Sequence, residues 1–318
     1  MDWPPPRVVT LVLCTRDGRV LGTLPPFEVT YPWWQDSLAV VPAARQQYAV
    51  DVTILRVIDT GGSAGPPGGP VTYLAEVDAV PAVPLQPWRG ADPIAEQPNR
   101  LPYARPGGPA ADVAWADAEL ARLGRPRIAD AMQMRSWNLS SIWQLPTAAG
   151  PAWLKVVPRF FAHEGPMLEL LARPGAAVVP RLLAYDGCRI LMEDIAGEDR
   201  YDAPLPERLV MVTMLVQLQR QWPHRIDELQ AIGLPDWRHP ALPTRIADTL
   251  DRTSDGLDAQ TCSVVESLLW DIEQRYADIA ACGVPDTLVH GDFHSGNTRG
   301  DAQHLVLLDW GDSGIGNP

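Results

Sequence analysis

The chain has 318 residues, which at roughly 100–200 residues per domain suggests two domains, or three. Hydrophobic residues make up 46% and charged residues 20%; this composition excludes a disordered, collagen-like or membrane-embedded chain and supplies enough apolar material for a packed core. The formal charge of −13 argues against nucleic acid as the main partner, because neutralising phosphates needs a basic surface, and it is compatible with a cationic small molecule.

The four cysteines (Cys14, Cys188, Cys262, Cys282) are far apart and form no CxxC pair. They read as thiols of a reducing compartment and not as a disulfide frame or a zinc site. A single lysine, Lys155, stands among 25 arginines. Two readings are open: chance survival under a bias towards arginine, or a compact ammonium that a guanidinium cannot replace. The N-terminus has no basic leader region, and no stretch approaches the ~18 apolar residues of a membrane helix, so a cytoplasmic location with no membrane partner is expected.

Residues 1–80 read as a small α+β unit. Strands are expected over 8–14 and 19–23 around the Asp17-Gly18 turn, a helix over 33–48, and strands over 51–57 and 71–77. This order, with Ala43-Ala44-Arg45-Gln46-Gln47 leading into Val50-Asp51-Val52, resembles a Nudix domain. The resemblance implies a degenerate copy, since Gln46 and Gln47 stand where that family has magnesium-binding glutamates. An accessory domain of another lineage is the alternative. Residues 81–110 carry a run of prolines, resist helix and sheet, and read as a semi-rigid connector.

A helix is expected over 111–123, closed by Gly124, and strands over 133–137, 141–145 and 152–157, the last holding Lys155. A helix over 161–172 follows, with Glu164 in its first turn, then strands over 181–185 and 189–192. Beyond 196 the chain turns mainly helical. Helices are expected over 207–221 and 263–282, the second opened by Ser263-x-x-Glu266 as a capping box. A sheet-rich part over 111–196 thus precedes a helix-rich part over 197–318.

The strongest signal lies near the end. The apolar run Leu288-Val289 enters His290-Gly291-Asp292-Phe293-His294-Ser295-Gly296-Asn297, and a second apolar run, Leu305 to Leu308, ends on Asp309. Pairing of these two runs in a hairpin-like way would bring Asp292, Asn297 and Asp309 to one edge. Two carboxylates and an amide oxygen are hard ligands suited to magnesium. Phosphoryl transfer needs such a set: a base for the attacking hydroxyl and metal ligands for the triphosphate.

Residues 134–318 resemble the aminoglycoside phosphotransferase family, which shares its fold with choline and related kinases. The resemblance rests on His290, Gly291, Asp292, His294 and Asn297, then Asp309-Trp310-Gly311-Asp312. It implies an α+β, bilobal protein-kinase-like fold, with a sheet-rich N-lobe and a helical C-lobe, behind the small N-terminal domain. It implies Asp292 as catalytic base, His290 supporting the loop, and Asn297 and Asp309 holding Mg2+. Lys155 would hold the α/β-phosphates of ATP or GTP, oriented by Glu164. The loop 138–141, with Ser140 and Ser141, would cover the phosphates, and Met192, Glu193 and Asp194 would form the hinge beside the base. The acceptor would be a hydroxyl of a small molecule.

Four departures stand out. Ser295 replaces a frequent proline, Thr298 stands where an apolar residue is common, and the phosphate loop is poor in glycine. The chain stops at Pro318, where the family continues into further helices, so a C-terminally incomplete helical lobe is expected. A metal-dependent phosphoesterase, suggested by Gly291-Asp292-Phe293-His294, is rejected because only His304 follows as a further histidine. A non-catalytic nucleotide-binding protein remains the alternative.

Overall fold

The computed structural model describes residues 4–62, 65–172, 178–301 and 304–318. The N-terminal module comprises β1 (Arg7–Thr15), β2 (Val20–Thr23), β3 (Phe27–Val29), α1 (Val40–Tyr48), β4 (Thr53–Asp59) and β5 (Gly69–Val77). In β1, Val9, Leu11 and Leu13 enter one apolar cluster and Val12 and Cys14 another, and all five are fully buried. Side chains alternate along a strand, so a strand apolar on both faces must be covered on both. β1 accordingly lies inside the sheet, whose order is β2-β1-β5-β4, with β1 and β5 parallel and β3 also on β1. The helix expected over 33–48 is confined to α1: Pro42 suits a first turn, while Trp34 turns inward and donates its indole N–H to the Gly68 carbonyl at 2.8 Å. Gln46 and Gln47 are exposed on α1.

Residues 81–110 are not a free spacer. Thr23 and Gln86 exchange backbone hydrogen bonds (2.8 and 3.0 Å), Trp88 and Ile94 pack on the cluster of Val12, Cys14, Leu55 and Leu74, and Tyr103 is fully buried. Proline removes backbone donors and so prevents strand ladders, but it does not prevent the residues between from being buried.

The second sheet follows α2 (Gly108–Arg122), which starts three residues earlier than expected with Pro109 in its first turn. It contains β6 (Met132–Ser136), β7 (Ser141–Leu145) and β8 (Ala152–Val156), then, after α3 (Glu164–Leu171), β9 (Leu182–Asp186) and β10 (Arg189–Glu193). The order is β6-β7-β8-β10-β9, antiparallel throughout. Its core joins Trp143, Leu145, Ala152, Leu154, Val156 and Leu191 to Ala116 and Leu120 of α2.

The chain divides into two units, residues 1–165 with 181–194, and residues 166–180 with 195–318. The first unit therefore joins the N-terminal module to the second sheet, which the sequence reading places in separate domains. The second unit holds β11 (Glu198–Asp199), α4 (Leu205–Gln219), α5 (Ile226–Ala231), α6 (Ala241–Thr253) and α7 (Ala259–Ala281). It ends in β12 (Thr287–Val289), β13 (Thr298–Gly300), β14 (Leu305–Leu307) and β15 (Gly314–Gly316). α7 starts four residues before the expected Ser263, because the Asp258 side chain already accepts the Thr261 N–H at 2.8 Å. The architecture is α+β, sheet-rich in the first unit and mainly helical in the second. No helix among the described residues is long and apolar enough to cross a membrane.

Candidate functional site

In the first unit, alternation along β8 buries Ala152, Leu154 and Val156 and turns Trp153 and Lys155 to the other face. Lys155 Nζ lies 2.7 Å from Glu164 Oε1, with the side chains 12% and 3% exposed. Glu164 opens α3, where a carboxylate also favours the helix dipole, so one side chain serves both the ion pair and the helix start. A buried pair of this kind holds its geometry firmly, because losing one partner strands the other charge.

Met192, Glu193 and Asp194 end β10. Met192 is half-buried opposite Trp153. The Glu193 carboxylate is clamped by Arg125 at 2.6 Å and Arg181 at 3.0 Å, and Asp194 Oδ1 accepts the Trp153 indole N–H at 2.6 Å. The Glu193 and Asp194 side chains are thus fastened to the protein, and the Glu193 N–H is itself taken by the Arg181 carbonyl at 2.9 Å. Arg125, Trp153 and Arg181, which hold this segment, carry no local sequence signal. Ser140 and Ser141 differ from expectation. Both are buried, and their Oγ atoms accept indole N–H bonds from Trp137 (3.2 Å) and Trp143 (3.0 Å). They brace the β6–β7 turn from inside, and its exposed residues are Trp137 and Asn138.

In the second unit, the two apolar runs do not pair with each other. β12 pairs with β15, and β13 with β14. The expected residues still converge. Asn297 Nδ2 donates to the Asp292 carbonyl (2.8 Å) and to Asp292 Oδ2 (3.1 Å), and the Asn297 carbonyl accepts the Leu308 N–H (2.8 Å), one residue before Asp309. Two backbone features make this possible. Gly291 has φ +85°, and a Cβ there would stand 1.9 Å from the Asp312 carbonyl oxygen, so only glycine lets the two loops close on each other. Asp309 itself is left-handed (φ 60°, ψ 63°), a conformation that aspartate tolerates better than most residues.

His290 is 1% exposed, and its ring packs on Trp310 with centroids 4.5 Å apart. Burial holds its pKa below the usual histidine value, so it is neutral at pH 7; Nε2 donates to the Leu308 carbonyl at 2.9 Å. His290 is therefore a strut between the two loops. His294 Nδ1 accepts the Gly296 N–H at 3.0 Å, and its Nε2 stands 3.7 Å from Asp292 Oδ2. Asp292 and Asp309 are exposed.

With Nδ2 committed to Asp292, Asn297 has Oδ1 left as a donor to a cation. Asn297 Oδ1 and the Asp309 carboxylate are hard oxygens and fit Mg2+, which commonly takes one or two carboxylates and completes its octahedron with phosphate and water. No cluster of three or more His, Cys, Asp or Glu that could hold a metal occurs among the described residues.

Comparison with curated proteins finds no match. Similar solved structures include the apoenzyme of macrolide 2'-phosphotransferase MphH from Brachybacterium faecium, 17% identical over 64% of this chain and 73% of that one, with a TM-score of 0.45. A thermostable mutant of aminoglycoside phosphotransferase APH(4)-Ia in apo form is 19% identical over 64% and 73%, with a TM-score of 0.44. The streptomycin–ATP complex of APH(2")-IIa is 17% identical over 66% and 74%, also with a TM-score of 0.44. The profile of the phosphotransferase enzyme family (APH) matches residues 135–318, more than half of the chain and all of the Asp292–Asp309 segment. The chain belongs to the APH phosphotransferase enzyme family.

Proposed function

We propose that the chain transfers the γ-phosphoryl group of ATP or GTP to a hydroxyl of a small molecule, such as an aminoglycoside or another amino-alcohol. The observation that carries this reading is the convergence of Asp292, Asn297 and Asp309 through the Asn297 hydrogen bonds. Asp292 accepts the proton of the acceptor hydroxyl as its oxygen bonds to the γ-phosphorus and the bond to the β-phosphate oxygen breaks. Asn297 fixes the Asp292 carboxylate by its amide, and His290 keeps the two loops in register. Asn297 Oδ1 and Asp309 hold Mg2+, which when bound neutralises charge on the phosphates. Lys155, steered by Glu164, donates to the α/β-phosphates, and the Met192-Glu193-Asp194 segment forms the hinge beside the base.

Positioning and charge neutralisation dominate such chemistry. Asp309→Ala should abolish binding of the Mg2+-nucleotide, whereas Asp292→Asn should keep binding and lower transfer by roughly 10²–10⁴-fold. Nucleotide titration and phosphate-transfer assays over a panel of amino-alcohol acceptors check both. Wild-type protein that binds nucleotide and phosphorylates no acceptor would favour a nucleotide-binding role without catalysis. Full activity in both variants would overturn the site assignment.

A further inference from the structure

β4 is the last strand of the first sheet and β6 the last strand of the second. A strand edge presents a row of backbone donors and acceptors that need partners. Side chains of β6 satisfy part of the β4 edge. Gln133 of β6 lays its amide along Ile54 of β4, with Oε1 accepting the Ile54 N–H (2.8 Å) and Nε2 donating to the Ile54 carbonyl (2.7 Å). Ser136 Oγ donates to the Leu55 carbonyl at 3.1 Å. Gln133 and Ser136 are 5% and 1% exposed, so these bonds are shielded from water.

The backbone edge of β6 is taken as well. Ser37 N–H donates to the Met134 carbonyl and Ser136 N–H to the Gln35 carbonyl, each at 3.0 Å, around an antiparallel bridge between Asp36 and Arg135. Residues 35–37 thereby bridge onto the edge of the second sheet. One residue further on, the Trp137 carbonyl accepts the hydroxyl of the fully buried Tyr103 at 3.0 Å. Trp137 begins the turn that Ser140 closes. The strand leading into that turn, and the first residue of the turn itself, are thus fastened by groups outside the second sheet.

We propose that the N-terminal module and Tyr103 anchor the Trp137–Ser140 turn and thereby set the affinity for nucleotide without touching it. This rests on the reading that the turn covers the phosphates. Gln133, Ser136 and Tyr103 are positioning residues: each acts through the backbone it holds. The module on this view is a working part of the nucleotide site, not an appended domain.

The test uses the full chain, Mg2+-ATP as probe, and four variants at a temperature where all are folded. Tyr103→Phe and Ser136→Ala each remove one hydroxyl bond and should raise the Kd for Mg2+-ATP about three- to tenfold. Ser136→Thr, which keeps a hydroxyl, should restore it. Thr23→Val, which removes a hydroxyl contact to the Gln86 carbonyl elsewhere in the module, should leave Kd unchanged. Amide exchange at Trp137, whose N–H bonds the Ser140 carbonyl, should quicken in Tyr103→Phe and Ser136→Ala alone; this readout reports the turn with no nucleotide present. An unchanged Kd in both variants, with wild type binding Mg2+-ATP, overturns the anchor and leaves the phosphotransferase reading standing. Wild type that fails to bind Mg2+-ATP, even with the exchange pattern as expected, overturns the nucleotide reading and the claim on affinity with it.

Discussion

Asp112 shows what a single buried carboxyl does to the first unit. It lies on α2, 8% exposed, and its Oδ2 has no hydrogen-bond partner among the described residues. Burial pushes its pKa up to about 6, against the pull of the Arg189 guanidinium. Between the unfolded value near 4 and the folded value near 6, the folded chain holds the extra proton. Stability from this group is therefore present below about pH 4 and is lost as pH rises through 6. Asp112→Asn keeps the shape and removes the titration. It should stabilise the protein by on the order of 2 kcal/mol at pH 7.5, with the difference closing towards pH 4. Chemical denaturation across that range checks it, and a difference that grows on acidification would contradict the account. His290, a buried base, is shifted the opposite way, since burial disfavours the charged form of acid and base alike.

At the scale of elements, what is local in sequence was legible. β7 falls on the expected residues 141–145, with the Asn138-Leu139-Ser140 turn before it and Pro146 after it. The Lys155–Glu164 pair, which the family resemblance implies, forms between β8 and the start of α3. The partners of β12 were not legible: whether Leu288 pairs with the run at 305 or with Ile315 is a tertiary choice that apolar composition does not encode. Asp292, Asn297 and Asp309 converge regardless, because the Asn297 bonds and the closeness allowed by Gly291 tie the loops directly. Helix starts show the same limit. Ser263 and Glu266 have capping-box spacing, yet Asp258 caps first, through Thr261 N–H and Thr261 Oγ1. Asp258→Ala should therefore speed amide exchange at Thr261 several-fold and hand the cap to Ser263, with exchange beyond Leu268 unchanged. Equal protection at Thr261 in both proteins would count against Asp258 as the cap.

At the scale of the whole molecule, the joining of the N-terminal module to the second sheet could not be read from the chain, because it depends on Gln133 and Ser136, two polar residues of a kind usually left in solvent. The prolines of 81–110 point to separation, and the burial of Tyr103 and the packing of the partly buried Trp88 override them. The coding bias noted at the outset leads to a practical handle. A protease that cuts only after lysine has one target bond in this chain, and it lies in the middle strand of a five-stranded sheet, between β7 and β10. Cleavage into fragments 1–155 and 156–318 requires that strand to open, so its rate in native buffer measures the opening of the sheet. Native protein should be cut at least roughly a thousandfold more slowly than heat-unfolded protein, and saturating Mg2+-ATP should slow the cut again. Amine-directed reagents meet the same restriction. Apart from the N-terminal amine, any acyl or biotin label lands on the ammonium that Glu164 holds, so one mass shift reports occupancy of that position across the whole protein.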